Sequence, residues 1–266
     1  MRTELHGARV FYGTGNREPV QDARTVVFIH GAGFDHAVWV MPARYFARHG
    51  WRVIAPDLPA HGRSEGNPLT TIEAMADWLA ALLAQEVPAG QAALVVGHSM
   101  GSLVALALAG RHPQWVAKLA LLGTSTPMQV GPPLLQAALD NDHAAIDMAN
   151  TWSHSTQGAL GAAQSPGLSN LHSGERWLER MSPGVYHADL AACHAYQAVV
   201  DVGTTPVLVI AGMADRMTPA RAGLQLAGQV SQGQAVQLPG CGHAMLSEQP
   251  NAVLDALIDF SGDEHA

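Results

Sequence analysis

Ten residues, Ala92-Ala93-Leu94-Val95-Val96-Gly97-His98-Ser99-Met100-Gly101, leave little freedom to the chain around them. The apolar, valine-rich run reads as a strand buried in a parallel sheet. Ser102-Leu103-Val104-Ala105-Leu106-Ala107-Leu108-Ala109 after it is a good helix-forming run. A strand that turns into a helix through G-x-S-x-G is the setting of a nucleophile elbow. The turn is too tight for side chains on both sides of the serine, which accounts for Gly97 and Gly101. It lifts the Ser99 hydroxyl out of the sheet and turns the next backbone N–H groups toward the positive end of the helix.

The rest of the chain repeats this strand-and-helix rhythm. Up to about Gly13 the sequence reads as one or two edge strands. Further strands are expected at Thr25 to Ile29, Trp51 to Ala55, Leu119 to Leu122, Pro206 to Ile210 and Ala235 to Leu238. Thr70 with Glu73 suggests a capping box, followed by a helical stripe of Ile72, Met75, Ala76, Leu79, Leu82 and Leu83. Thr218-Pro219 suggests a capped helix start, and Pro250 opens a terminal helix with Val253, Leu254, Leu257 and Ile258 inward. The rhythm breaks at 125–202, where aliphatic strands give way to His, Trp, Met, Tyr and small residues, and Ser155 to Asn170 reads as a mobile loop. The expectation is an α/β fold with a mostly parallel, doubly wound sheet. Residues 1–124 and 203–266 build the core, and 125–202 is a helical cap inserted before the last two core strands, over the carboxyl edge of the sheet.

Composition narrows the partners. With 48% apolar and 14% charged residues in 266, the chain is long and apolar enough for a large core. With a net charge of −8, a single lysine, Lys118, and arginines scattered without a run of like charge, nucleic acid is not an expected partner. Cys193 and Cys241 give neither a disulfide framework nor a metal quartet and read as small buried thiols. The start of the chain lacks a signal peptide's apolar block, and no apolar run reaches membrane-spanning length. A soluble, cytoplasmic monomer or homodimer acting on a small molecule, without cofactor, metal or membrane, is expected.

A serine hydroxyl is nearly inert at neutral pH and needs a base, and the base needs a group to fix its tautomer. In this kind of fold the chain order is Ser, acid, His, each at a strand end. Asp215 stands just past the Val-Leu-Val-Ile strand. His243 follows the last strand in Pro239-Gly240-Cys241-Gly242-His243. A loop Asp before a helix is most often a cap. Thr218 supplies the cap here, which leaves Asp215 without a local task. Of the fourteen histidines, His243 alone follows a strand downstream of both Ser99 and Asp215, and His265 lies in the chain end. The oxyanion donors are expected to be the N–H groups of Met100, on the elbow, and Ala32, in the loop His30-Gly31-Ala32-Gly33, with Gly33 as the near alternative.

These stretches resemble the α/β-hydrolase fold superfamily, in its small capped, serine-esterase-like form. The likeness is carried by His30-Gly31-Ala32-Gly33 with Trp39, Pro56-Asp57-Leu58 with His61-Gly62-Arg63-Ser64, Gly97-His98-Ser99-Met100-Gly101, Gly212 with Asp215, and Gly242-His243. It spans the chain except 125–202, which matches only as a cap. The resemblance implies that Asp57, His61 and Arg63 form a hydrogen-bonded loop shaping the site's floor, and that His30 and His98 fix loops. It is specific for fold and triad and not for substrate. Serine at 99 disfavours the dehalogenases and epoxide hydrolases of the fold, which use a carboxylate. Arg216-Met217 after Asp215 lacks the lysine of its hydroxynitrile lyases. Ala244-Met245-Leu246 after His243 lacks the tryptophan usual in its C–C hydrolases.

The expected activity is hydrolysis of esters, or of amides or thioesters, of small to medium apolar substrates through an acyl-enzyme. Alternatives are C–C bond hydrolysis or perhydrolase chemistry on the same triad, or a slow-turnover ligand-binding receptor. Gly33, Phe34, Met213, Met217 and Met245 adjoin the loops and, with Trp152 from the cap, are expected to line the pocket. Histidines 143, 154, 172, 187 and 194 invite a metal site. His187 and His194, however, are seven residues apart, not on adjacent helical turns, so they read as hydrogen-bonded structural residues.

Overall fold

Successive side chains of a strand point to opposite faces, so an apolar run fills two cores at once. The computed structural model, which describes residues 1–18, 22–161, 169–198 and 200–262, shows this in the inner strands. The strands are β1 (Arg2–Leu5), β2 (Ala8–Gly13), β3 (Thr25–Ile29), β4 (Arg52–Pro56), β5 (Ala93–His98), β6 (Val116–Leu122), β7 (Val207–Gly212) and β8 (Gly233–Leu238). Val27, Ile29, Val95, Leu121 and Val209 face one core. Val26, Phe28, Val96, Leu122 and Ile210 face the other. Helices α2 (Ile72–Glu86), α3 (Met100–Arg111) and α9 (Ala220–Gln229) cover the first face. Helices α1 (Val40–Arg48) and α11 (Pro250–Ser261) cover the second. Both faces are thus removed from water, the condition under which a parallel sheet is stable.

The eight strands run in the order β1-β2-β4-β3-β5-β6-β7-β8. The edge hairpin and its junction to β4 are antiparallel and the remaining pairs parallel. Most expected strands lie where the sequence places them. The fourth is displaced by one residue, and β6, β7 and β8 are longer than the apolar runs that announce them, because pairing with a neighbour recruits flanking residues. The expected capping box of Thr70 with Glu73 does not form, since the cap lies one residue later and puts Ala74 at the third helical position. Thr71, not Thr70, caps α2, and its hydroxyl accepts from Ala74 N, because Thr71 adopts the extended backbone an N-cap requires.

Between β6 and β7 lie α4 (Pro132–Leu139), α5 (Ala144–Ser153), α6 (Thr156–Ala159), α7 (Asn170–Leu178) and α8 (Val185–Ala195), with α10 (Met245–Glu248) following β8. The inserted helices share a small core of Leu134, Ala138, Ala149, Leu178, Tyr186 and Leu190. The expected loop over Ser155 to Asn170 contains α6, capped by the Ser155 hydroxyl; positions 162–168 lie outside the described residues. No helix of the described residues is long and apolar enough to cross a membrane.

Candidate active site

The elbow is as tight as its glycines demand. A Cβ on Gly97 would fall on the carbonyl oxygen of Gly101, and one on Gly101 would fall on that of Ile29. Ser99 between them has φ 55° and ψ −121°. A non-glycine residue so placed is strained by about 1–3 kcal/mol, a cost that surrounding structure must hold in place. Here Ser99 N donates to Leu122 O at 2.9 Å, and Ser102 Oγ donates to the Ser99 carbonyl at 2.6 Å. Met100 is the first residue of α3, so its N–H has no partner within the helix.

The ends of four other strands, β3, β6, β7 and β8, gather around this turn. A Cβ at Gly31, just past β3, would lie 3.3 Å from Ser99 Cβ, so the β3 loop runs directly beside the serine. Gly123, just past β6, would carry its Cβ 3.0 Å from Nδ1 and Cε1 of His243. His243 Nδ1 donates to Asp215 Oδ2 at 2.8 Å, and Thr218 Oγ1 lies 3.1 Å from the same nitrogen while donating to Asp215 Oδ2 at 2.7 Å. Asp215 Oδ1 accepts from the N–H groups of Met217 and Thr218, both at 2.8 Å. Burial disfavours the Asp215 charge, but His243 and the Thr218 donors outweigh it and hold the carboxyl below its usual range. Two expectations change here. Thr218 does not cap α9, whose N-cap is Pro219; its hydroxyl belongs to the Asp215–His243 pair. Asp215 does have a local task, because it closes the turn with one oxygen while the other faces the imidazole.

The loop 31–33 is held from both sides. His30 is wholly buried; its Nδ1–H donates to Gly31 O at 2.8 Å and its Nε2 accepts from Leu58 N at 3.1 Å. Gly33 N–H is already taken, donating to Asp189 Oδ2 of α8 at 2.8 Å. Ala32 N–H makes no hydrogen bond to a described residue, so of the two N–H groups named for the oxyanion, Ala32 is the one left free. Asp57 accepts from His36 N and Nδ1, both at 2.7 Å, and from Arg63 N at 2.9 Å, a closed loop beneath the site. His61 is tied at 2.8 Å to the same Asp189 oxygen. His98 Nε2–H donates to His243 O at 2.9 Å, fixing the backbone under the imidazole.

Two of these histidines carry a consequence for stability. Burial, with His61 beside it, pushes His30 down to about 4; burial, with His243 beside it, pushes His98 down to about 3. The unfolded chain takes up those protons near pH 6.5, so between the two values it binds more protons than the folded one and stability falls as pH falls. At about 1.4 kcal/mol per pH unit once the unfolded ring is fully charged, each imidazole should remove roughly 2 kcal/mol between pH 6.5 and 4.5. Calorimetry from pH 7.5 to 4.5 should show the melting temperature falling by about 2–4 °C for each kcal/mol lost. A flat profile over that range would mean that both rings charge in place.

Ser99 opens into a cavity of about 150 Å³. Ala32, Met217 and Thr218 line it from the sheet side, and Met128, Leu134, Trp152, Leu190 and Cys193 from the inserted segment, with the exposed Arg216 at its rim. His243 faces a smaller space of about 50 Å³ walled by Phe34, Trp177 and Leu178. Of the residues expected at the pocket, Trp152 and Met217 line the first space and Phe34 the second. Gly33 contributes backbone to Asp189. Met213 is 46% exposed and Met245 packs wholly into the core, and neither lines either space. Sequence reasoning missed Asp189, and also Glu248, a buried carboxylate that accepts from Ser155 N and Gly242 N and so ties the inserted segment to the His243 loop. A lone acid in a helix gives no local signal of such a tie. Among the inserted histidines, His154 donates to Asn150 O, His194 accepts from Val130 N, and His143 lies beside Asp147 and Glu179.

Residues 24–250 match the family model described as the alpha/beta hydrolase fold. A pimeloyl-[acyl-carrier protein] methyl ester esterase of Aromatoleum aromaticum is 34% identical over 242 residues, covering 85% of this chain and 93% of that one. Mammalian relatives are matched over 54–55% of their own length. The structure of a thermophilic esterase aligns with a TM-score of 0.79 at 25% identity, over 98% of this chain and 96% of that one. That of an enol-lactonase from Burkholderia xenovorans LB400 aligns with a TM-score of 0.84 at 22% identity, over 99% and 100%, a likeness of fold. Sheet order, glycine-bound serine turn and family match agree, and the chain belongs to the alpha/beta hydrolase fold family as a hydrolase.

Proposed function

We propose that the protein is a serine esterase acting on small to medium apolar esters, with Ser99 as nucleophile, His243 as base and Asp215 as the group that orients the base. The observation that carries this reading is the 2.8 Å bond from His243 Nδ1 to Asp215, made on loops that follow β7 and β8 beside a cavity holding Ser99. With Nδ1–H committed to the carboxylate, Nε2 is the nitrogen left to accept a proton. Ser99 Oγ bonds to the ester carbonyl carbon as its proton passes to His243 Nε2. The carbonyl π pair moves onto oxygen, where the N–H groups of Ala32 and Met100 hold it. Collapse expels the alkoxide, which leaves with the proton from His243. Water then repeats the sequence on the acyl-enzyme with the same base.

The cavity is of the size that takes a benzene ring, and Met128, Leu134, Trp152, Leu190 and Met217 in its mixed lining suit a short or medium acyl group, beside the polar Gln129, Thr218 and Arg216. Residues 125–202, which supply most of that lining, act as the cap. The Aromatoleum relative is named for the cleavage of a methyl ester, which supports the ester bond as the one attacked. The test is a fluorophosphonate probe followed by peptide mapping, with steady-state turnover of p-nitrophenyl acetate, butyrate and hexanoate. Labelling at Ser99 with sustained turnover is expected. Labelling without turnover would make the protein a stoichiometric receptor, and labelling elsewhere would remove Ser99 from the reaction.

A further inference from the structure

We propose that Asp189, borne by α8 of the inserted segment, is a positioning residue that sets the direction of the Ala32 N–H at Ser99, so that the oxyanion site is complete only when the inserted helices are seated. This rests on the reading above that Ala32 supplies one of the two donors.

Asp189 is an expensive residue where it stands. It is wholly buried, and its Oδ1 has no hydrogen-bond partner among the described residues. An unmet buried acceptor costs about 1–3 kcal/mol, and a buried ion pair is often matched or bettered in stability by apolar side chains. Leu190 and Tyr186 on the same helix already supply apolar packing. What a leucine at 189 could not supply is an acceptor for two donors of the sheet domain, Gly33 N at 2.8 Å and His61 Nε2 at 2.8 Å, which are 156 and 128 residues away along the chain.

The geometry at the loop gives that acceptor its purpose. Ala32 N–H shares a peptide plane with Gly31 O, which accepts from His30 Nδ1 and from Phe34 N at 3.2 Å. Asp189 holds the N–H of the next peptide, at Gly33. With both planes held, φ and ψ of Ala32 are fixed and the turn that carries its N–H cannot rearrange. Gly33 is held at φ +73°, and a Cβ there would meet the end of the Met181 side chain and Leu178, so the loop and the inserted segment are in direct contact. The partner charge is built in too. His61 Nδ1 faces Pro59 O at 3.0 Å and Nε2 faces Asp189, so both ring nitrogens face acceptors and the ring is held as an imidazolium. Burial opposes that charge, but Asp189 outweighs it and raises the pKa of His61.

Asp189→Asn can keep both bonds by setting its amide oxygen at the Oδ2 place, so the test is Asp189→Leu, which keeps the bulk and removes the acceptor. Its kcat on p-nitrophenyl butyrate is expected to fall about 10- to 100-fold, less than deletion of an oxyanion donor outright, with KM within about twofold of wild type. The affinity for a trifluoromethyl ketone, whose hemiketal oxyanion occupies the same site, should weaken by the same factor as kcat/KM. Amide hydrogen exchange at Ala32 and Gly33, measured in the Ser99→Ala background where no turnover intervenes, should accelerate on adding Asp189→Leu. A raised KM with kcat retained would overturn the proposal in favour of simple pocket shaping. So would a kcat loss with unchanged ketone affinity, or unchanged exchange. Ketone affinity reports only on folded molecules, and exchange at Ala32 and Gly33 is read against the core amides of β5, which report global opening, so a less stable variant still decides between positioning and pocket shaping. Failure of the wild type to label at Ser99 would instead refute the esterase reading, an outcome distinct from each of these.

Discussion

Ser99→Ala is expected to lower kcat on short p-nitrophenyl esters by on the order of 10⁴- to 10⁶-fold while leaving KM nearly unchanged and the melting temperature equal or higher. The size follows from the chemistry removed. Without Oγ no acyl-enzyme forms, and what remains is attack by water under the Met100 and Ala32 N–H groups, a residue of catalysis that such sites retain. The direction of the stability effect follows from the position. Ser99 makes no side-chain hydrogen bond to cap α3, and its φ of 55° is a strained conformation that alanine shares, so little packing is lost. An activity loss with retained or improved stability is the signature of a group kept for reaction and not for folding. The measurement pairs initial rates with scanning calorimetry on the same preparations. Turnover within tenfold of wild type would remove Ser99 as nucleophile. A cooperative loss of structure would mean that the hydroxyl holds the turn.

How much of this is legible in the sequence depends on how locally each feature is encoded. The elbow is written in five consecutive residues because its demand is steric: two backbones approach so closely at Gly97 and Gly101 that no Cβ fits. Asp215 and His243 are legible because the strands before them announce themselves by composition, and a strand end fixes a position in space. Thr218 is not, since Thr-Pro before a helix serves a cap and a side-chain bridge equally well in one dimension, and only the meeting with His243 decides between them. Adjacency alone places Met213 and Met245 at the pocket. Adjacency says nothing of side-chain direction, and one turns to solvent while the other turns into the core. Asp189 and Glu248 stay hidden, because each is a single acid in a helix whose partner lies on a remote loop. The inserted segment, lacking the apolar runs that betray strands, conceals both its own helices and the residues that join it to the site.

Asp215→Asn should be nearly as damaging as loss of the nucleophile, with kcat down on the order of 10⁴-fold, although the substitution is isosteric. The reason lies in the second oxygen. Asp215 Oδ1 accepts from two backbone N–H groups, Met217 and Thr218, so an asparagine must place its carbonyl oxygen there, since an NH₂ would face two donors. Its NH₂ is then forced to the Oδ2 position, facing His243 Nδ1 and Thr218 Oγ1. A donor at that place favours the imidazole tautomer with Nδ1 bare and the proton on Nε2, the nitrogen that must accept from Ser99. The base is thus presented in its unreactive form, and fluorophosphonate labelling should slow with turnover. Imidazole nitrogen NMR should show the proton moved from Nδ1 to Nε2. Thr218→Val is the control, because it removes the longer contact to Nδ1 and the 2.7 Å bond to Asp215 Oδ2 but leaves the carboxylate and its two backbone donors in place. It should cost about 10- to 100-fold, in line with loss of one hydrogen bond to a charged group. Asp215→Asn turnover within tenfold of wild type would show that His243 keeps its tautomer without the carboxylate, and the acid's assignment would fall with it.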